Sequence, residues 1–218
     1  MNILVTGGAG FIGSNLVISL LNIKKIKKIY VYDNYSSGSK RNHIKSNKIT
    51  YIKGDTVNIL KNRFITSQKF KYIFHFAEFS RIVPSFKHFD RCWSTNVLGT
   101  KKVIELAIRN DSKLVYSASS SKFGNKTNEF LSPYAWTKAK NVELIKSYNE
   151  WFGLNYIITY FYNVYGPNQI KKHFMSAVIG IFEQQYIEKK PLTVVKPGNQ
   201  KRDFTHVNDI VSGCLKAA

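Results

Sequence analysis

Short apolar runs rich in β-branched residues alternate along this chain with segments whose apolar positions recur every three or four residues. The runs predict buried strands at 2–6, 28–32, 49–53, 71–75, 113–117 and 155–160. The periodic segments predict helices at 11–21, 89–109, 134–151 and 173–188, and a last helix following His206-Val-Asn-Asp209. Pro133 marks the start of the long helix and Gly153 its end. Unbroken strand–helix alternation predicts an α/β fold, a doubly wound parallel sheet with helices on both faces. No internal repeat or low-complexity linker interrupts it.

The first strand leads into Gly7, Gly10 and Gly13 at three-residue spacing, and helical periodicity resumes at Ser14. Strand, glycine turn and helix form the dinucleotide-binding (Rossmann) layout. Gly7 suits the tight turn, Gly10 leaves room for a pyrophosphate, and Gly13 allows close packing of helix on strand. Phe11 and Ile12 lie at the helix N-terminus, whose free N–H groups and dipole favour phosphate. Asp33 ends the second strand twenty residues beyond Gly13, placed to accept hydrogen bonds from the adenosine ribose. It favours NAD over NADP, although Lys40 and Arg41 downstream could approach a phosphate. Other strand ends add candidates on the same side. They are Asn34 beside Asp33, Asp55 and Thr56 after the third strand, Phe76 and Ala77 after the fourth, and Ser117 to Ser121 after the fifth. Asp55 is placed to meet the adenine amino group, and Ala77 lets the backbone approach the cofactor.

Composition narrows the function classes. At 218 residues the chain is long enough for one substantial core. Cys92 and Cys214 are isolated and the five His residues are scattered, so neither a disulfide framework nor a metal site is suggested. No apolar run spans a bilayer and no secretory signal pattern opens the chain, which predicts a cytoplasmic protein without a membrane partner. The net charge of +20 raises a nucleic-acid reading, but the lysines are spread along the chain. Such a surface also draws small anionic substrates.

Tyr134 and Lys138 are four residues apart on a predicted helix, which stacks phenol and ammonium on one face. A cation there favours the phenolate and makes Tyr134 a candidate acid/base. That spacing arises easily by chance. Ser119 at a strand end and the N-terminal glycine turn turn it into a constellation.

Together these motifs resemble the extended short-chain dehydrogenase/reductase family, in particular nucleotide-sugar epimerases such as UDP-glucose 4-epimerase. The matching stretches are Thr-Gly-Gly-Ala-Gly-Phe-Ile-Gly at 6–13, His-Phe-Ala at 75–77 and Asn-Val-Leu-Gly-Thr at 96–100. They continue with Ser119 five residues before Gly124, Tyr134 with Lys138, Asn-Val-Tyr-Gly-Pro at 163–167 and Arg-Asp-Phe-Thr-His-Val at 202–207. The resemblance implies an enzyme that uses NAD and a nucleotide-sugar substrate, a UDP-hexose. It implies that Ser119 and Tyr134 meet the sugar hydroxyl and that Lys138 holds the nicotinamide ribose. Asn96 would support the site beneath the nicotinamide, and Asn163 and Arg202 would meet the diphosphate. Loop capping and surface pairing are the alternative roles for those last two.

Relatives that dehydrate sugars carry an Asp-Glu pair where this chain has Ser120 and Ser121, so the proton-transfer groups for water loss are missing and epimerisation is favoured. Dehydratase and reductase activities remain the alternatives within the family. A non-catalytic nucleotide sensor or nucleic-acid binder is the alternative outside it. Glu78, Lys122 and Phe123 also depart from common family choices, and the segment 124–132 is short. The resemblance further implies a homodimer through helices 89–109 and 134–151, with Val97, Leu98, Ile104, Leu106, Val142, Leu144 and Ile145 as candidate contacts. Residues 1–160 are expected to form the NAD-binding domain. Residues 161–218 would begin a substrate-binding region interleaved with it. Since relatives continue past the position of Ala218, a fragment or truncated product is expected, one that binds NAD but holds a UDP-sugar weakly.

Overall fold

A computed structural model describes residues 1–120 and 132–218. Expectations placed on Ser121, Lys122, Phe123 and Gly124 lie outside the described residues. Six parallel strands form the central sheet: β1 (Asn2–Thr6), β2 (Lys28–Asp33), β3 (Ile49–Lys53), β4 (Tyr72–His75), β5 (Lys113–Ser119) and β6 (Tyr156–Phe161). Their order is β3-β2-β1-β4-β5-β6, so the chain reverses direction across the sheet between β1 and β4. Ligands of doubly wound sheets sit at the carboxyl ends of the strands at such a switch. The helices are α1 (Phe11–Leu21), α2 (Arg63–Thr66), α3 (Ile82–Lys87), α4 (Phe89–Trp93), α5 (Thr100–Asn110), α6 (Pro133–Phe152), α7 (Val178–Ile187) and α8 (Val207–Ala217).

Alternation along the strands divides the core in two. Ile3, Val5, Ile29, Val31, Phe74 and Val115 point to the face covered by Leu16 and Val17 of α1 and by Val207, Ile210 and Val211 of α8. Leu4, Tyr30, Tyr32, Ile73, Leu114 and Tyr116 point to the other face, under Val103 and Ile104 of α5 and Val142 and Ile145 of α6. Both faces are covered, so the strands read as continuous apolar runs. The last helix thus belongs to the same core as β1.

The predicted sheet is the observed one, with β2, β5 and β6 extending one or two residues further toward the cleft. Ser132 caps α6 by accepting from Ala135 N, Pro133 follows at the first turn, and Gly153 closes the helix in the left-handed conformation at φ +68°. Two helix predictions need correction. The segment 89–109 is broken by a π-helical stretch, Ser94–Gly99, between α4 and α5. The helix expected from 173 starts at Val178, because Ser176 Oγ and His173 Nδ1 accept from the His173 and Met175 amides and hold a turn there. A second, two-stranded parallel sheet pairs β7 (Val164–Tyr165) with β8 (Thr205–His206).

Candidate active site

A cleft of about 1110 Å³ runs along the carboxyl ends of the strands. At one end lies the glycine turn. Gly7 adopts φ +74°, and a Cβ there would meet Ala77 N at 2.7 Å, so β1 and β4 leave their loops in backbone contact. A Cβ on Gly13 would lie 2.2 Å from Gly7 O, which fixes how closely α1 can pack on the turn. Gly10 is the N-cap of α1 and no side chain caps it. Gly7, Gly10, Phe11, Ile12 and Gly13 all line the cleft.

The tip of β2 supplies the carboxylate. Asp33 is 5% exposed, with Oδ2 accepting from Ala9 N at 2.9 Å and Oδ1 from Tyr35 N at 2.8 Å. Burial raises its pKa above the ordinary 3.8, and those two amides oppose the shift. Asn34 lines the cleft beside it and donates to Asp55 Oδ2 at 2.9 Å. A space shaped by bare glycines, an uncapped helix start and a buried acceptor at the neighbouring strand tip together fit a dinucleotide.

Lys138 stands one helical turn after Tyr134 on α6, and both line the cleft together with Ser119 and Ser120 at the β5 end. The Lys138 ammonium is 6% exposed and donates to the carbonyl of Ser117 and to the carboxylate of Glu78. Glu78 is the residue that sequence reasoning left without a role. Its Oε1 accepts from Thr100 Oγ1 at 3.0 Å, Tyr116 OH at 3.0 Å and Asn141 Nδ2 at 2.9 Å. Asn141 stands three residues after Lys138 on the same helix face, the one local signal that could have linked them. His75 continues the network, with Nε2 2.9 Å from Thr100 Oγ1 and Nδ1 2.6 Å from Thr6 Oγ1. The Thr100 hydroxyl gives its single proton to Glu78, so it accepts from His75 Nε2–H, and His75 Nδ1 accepts from Thr6. Full burial pulls the His75 pKa from 6.5 down to about 4. Glu78 and burial together raise that of the Tyr116 phenol well above 10.

Two cofactor candidates are engaged by the protein's own groups. Asp55 caps the following 3-10 turn through Val57 N at 3.1 Å and takes Asn34 on its other oxygen, while Gly54 and Thr56 on either side line the cleft. Asn96 is fully buried in the π-helical stretch and brackets Phe79, accepting from its N–H at 2.7 Å and donating to its C=O at 3.1 Å. It therefore shapes the loop after β4 from behind rather than by contact. Phe76 and Ala77 line the cleft as expected.

At the far end the small sheet brings Asn163 and Arg202 to one rim. Asn163 has φ +30° and donates to Asp203 O at 2.9 Å, next to the exposed Arg202. Arg81, absent from the sequence candidates, reaches into the same space and donates through Nε to Met175 O at 2.7 Å. Burial lowers its pKa and the facing Tyr134 opposes that.

The profile of the NAD dependent epimerase/dehydratase family matches residues 3–218. The chain belongs to this family, within the extended short-chain dehydrogenases/reductases, and NAD is its cofactor. A putative UDP-glucose 4-epimerase of Methanocaldococcus jannaschii is 31% identical over 226 residues, covering 99% of this chain and 72% of that one. Among solved structures, the UDP-glucose 4-epimerase of Thermotoga maritima with UDP-glucose superposes with a TM-score of 0.89 at 27% identity. The match covers 99% of this chain and 72% of the other. The dTDP-glucose 4,6-dehydratase of Streptomyces venezuelae with NAD bound gives 0.86 at 26%, covering 98% and 70%.

Proposed function

We propose that this family member epimerises a nucleotide-activated sugar at C4, a UDP-hexose, with Tyr134 as acid/base. The observation that carries the reading is the placement of Tyr134 and Lys138 on one face of α6, lining the same cleft as Ser119 and Ser120. Bound NAD supplies hydride removal and return. The chain supplies the proton chemistry: Tyr134 takes the proton of the 4-hydroxyl and gives it back, and Ser119 holds that hydroxyl. Lys138 holds the nicotinamide ribose. Asp33 takes the adenosine ribose, and the first turn of α1 takes the pyrophosphate. Asn163 and Arg202 bind the substrate diphosphate at the other rim. Neutral Ser120 offers no proton-transfer group for water loss, which favours epimerisation over dehydration.

Incubation with UDP-glucose and UDP-N-acetylglucosamine, followed by separation of the C4 epimers, tests this. A 4-keto-6-deoxy product would move the chain to the dehydratases. Tyr134→Phe is expected to abolish turnover while NAD still binds, and retained turnover would remove Tyr134 from the chemistry.

The reading extends to organisation. Residues 1–160 would carry the cofactor and 161–218 begin the substrate side, with α8 returning to the cofactor half. Among the described residues no helix is long and apolar enough to cross a membrane, in keeping with a cytoplasmic site of action. A homodimer is proposed through α4–α5 and α6, on side chains other than most of those first considered. Ile104, Leu106, Val142 and Ile145 are buried against the sheet. The apolar surface left over is largely aromatic: Phe89 and Trp93 are 49% and 37% exposed, and Trp93 stacks on Trp136 at 5.5 Å.

A further inference from the structure

Glu78 has no part in the reading above, yet it is built into the site more tightly than any surface carboxylate. Its side chain is 2% exposed at the carboxyl end of β4. Every partner donates to it: Thr100, Tyr116 and Asn141 to Oε1, Lys138 to Oε2. That is the pattern of an ionised carboxylate. These donors come from α5, β5 and α6, so three elements fix one anion in place. Lys138, in turn, lies 4.9 Å from the Tyr116 ring centroid and gives a second N–H to Ser117 O. Among the described residues two of its three N–H groups are thereby held by the protein, which leaves one for a ligand. The other ionisable groups of the network, His75 and Tyr116, are buried and neutral at ordinary pH, because burial moves both away from their charged forms. The local balance is therefore one cation against one anion, with Arg81 a further charge lining the cleft.

We propose that Glu78 is a positioning residue that keeps the site from disfavouring the oxidised cofactor, by cancelling the charge of Lys138. The inference rests on the placement of the nicotinamide ribose on Lys138 given above. An oxidised nicotinamide ring is positively charged and a reduced one is neutral. A bare ammonium at this buried position would repel the first and leave the second alone, whereas a neutral Lys138–Glu78 pair sets neither form against the other. An enzyme that must return what it removes in every cycle gains from holding the oxidised form at least as firmly.

The test is calorimetric titration of the cofactor-free chain with NAD⁺ and, separately, with NADH. Glu78→Gln is expected to weaken NAD⁺ binding on the order of tenfold, one charge in a partly screened site, with NADH nearly unchanged. Glu78→Asp should restore the ratio of the two affinities. Lys138→Met should weaken both forms but move the ratio the other way. The double variant Glu78→Gln/Lys138→Met, neutral again, should return toward the original ratio, and it carries the test if the single variant at 78 does not fold. Equal weakening of both forms by Glu78→Gln would make Glu78 a structural residue and overturn the proposal. So would a double variant whose ratio matches Lys138→Met alone. If Lys138→Met itself leaves both affinities untouched, the cofactor does not rest on Lys138, and the functional reading fails with it. A shifted ratio in Lys138→Met beside an unshifted one in Glu78→Gln removes only the present inference.

Discussion

Thr6 Oγ1 and His75 Nδ1 lie 2.6 Å apart at the ends of two paired strands, where the register sets Thr6 opposite His75. The contact locks the two strands that flank the switch point, with the neutral His75 Nδ1 accepting the Thr6 proton. The imidazole pKa falls from 6.5 to about 4 in the fold, chiefly through burial. A depressed pKa contributes stability that is present above pH 6.5 and lost as the pH falls toward the folded value. The shift corresponds to about 3 kcal/mol of extra acid sensitivity. Urea midpoints measured between pH 7 and pH 4.5 should fall more steeply for the wild-type chain than for His75→Gln. Parallel curves would show that His75 carries no such linkage.

Gly13 is the tightest point of the glycine turn. The backbone of Gly7 and Gly8 stands where its side chain would be, with Gly7 O 2.2 Å and Gly8 Cα 2.7 Å from an added Cβ. Neither can yield as the end of a flexible side chain would. Gly13→Ala must therefore push α1 off β1 or reshape the turn, at a cost of about 2–4 kcal/mol. The expected result is a lower melting temperature together with loss of NAD binding. A variant as stable as the wild type would mean that α1 can slide without strain.

The central sheet and α1 were legible because strand runs and helical periodicity are local signals, and a sheet covered on both faces writes long apolar runs. The short helices α2 and α3 were not, because four and six residues give periodicity too little length to register. The paired dipeptides β7 and β8 are joined across forty residues, and only their tertiary setting makes them strands. Within the site, the glycine turn, Asp33 and the Tyr134–Lys138 spacing could be read from the chain because each is a local pattern. The Glu78 cluster could not. Its members stand 22, 38, 60 and 63 residues away in sequence. The clamp of Asn96 on Phe79 could not be read either, since the π-helical stretch that aims it leaves no mark in the residue pattern.

Asp33 is proposed to govern which cofactor is accepted. Its ionised carboxylate can take hydrogen bonds from ribose hydroxyls and repels a 2′-phosphate. Asp33→Asn removes the charge and is expected to narrow the preference for NAD over NADP by about tenfold or more. The pH dependence has a defined sign. Burial raises the Asp33 pKa, so its contribution to stability is present below pH 3.8 and lost as the pH rises through the folded value. Cofactor binding runs the opposite way, because the bound ribose favours the ionised form. The stabilisation given by saturating NAD should therefore shrink as the pH drops toward that value, and the shrinkage should be absent in Asp33→Asn.

The stacked pair Trp93 and Trp136 gives the dimer proposal a specific target. Their rings are 5.5 Å apart at 18°, with Phe89 stacked on Trp93 at 6.1 Å, which joins α4 to α6 in one aromatic surface. Leu98, 43% exposed, extends the same helical line. Large rings half in water cost hydrophobic free energy that a second copy of the surface would recover, at roughly 25 cal/mol per Å² of apolar area covered. Trp93→Glu places a charge in the middle of that surface while leaving the sheet-facing residues Ile104 and Val142 untouched. Light scattering at micromolar concentration should give the mass of two chains for the wild type and of one for Trp93→Glu, with circular dichroism and NAD binding preserved. A wild-type chain that runs as a monomer would end the dimer proposal. A dimer unaffected by Trp93→Glu would place the contact elsewhere.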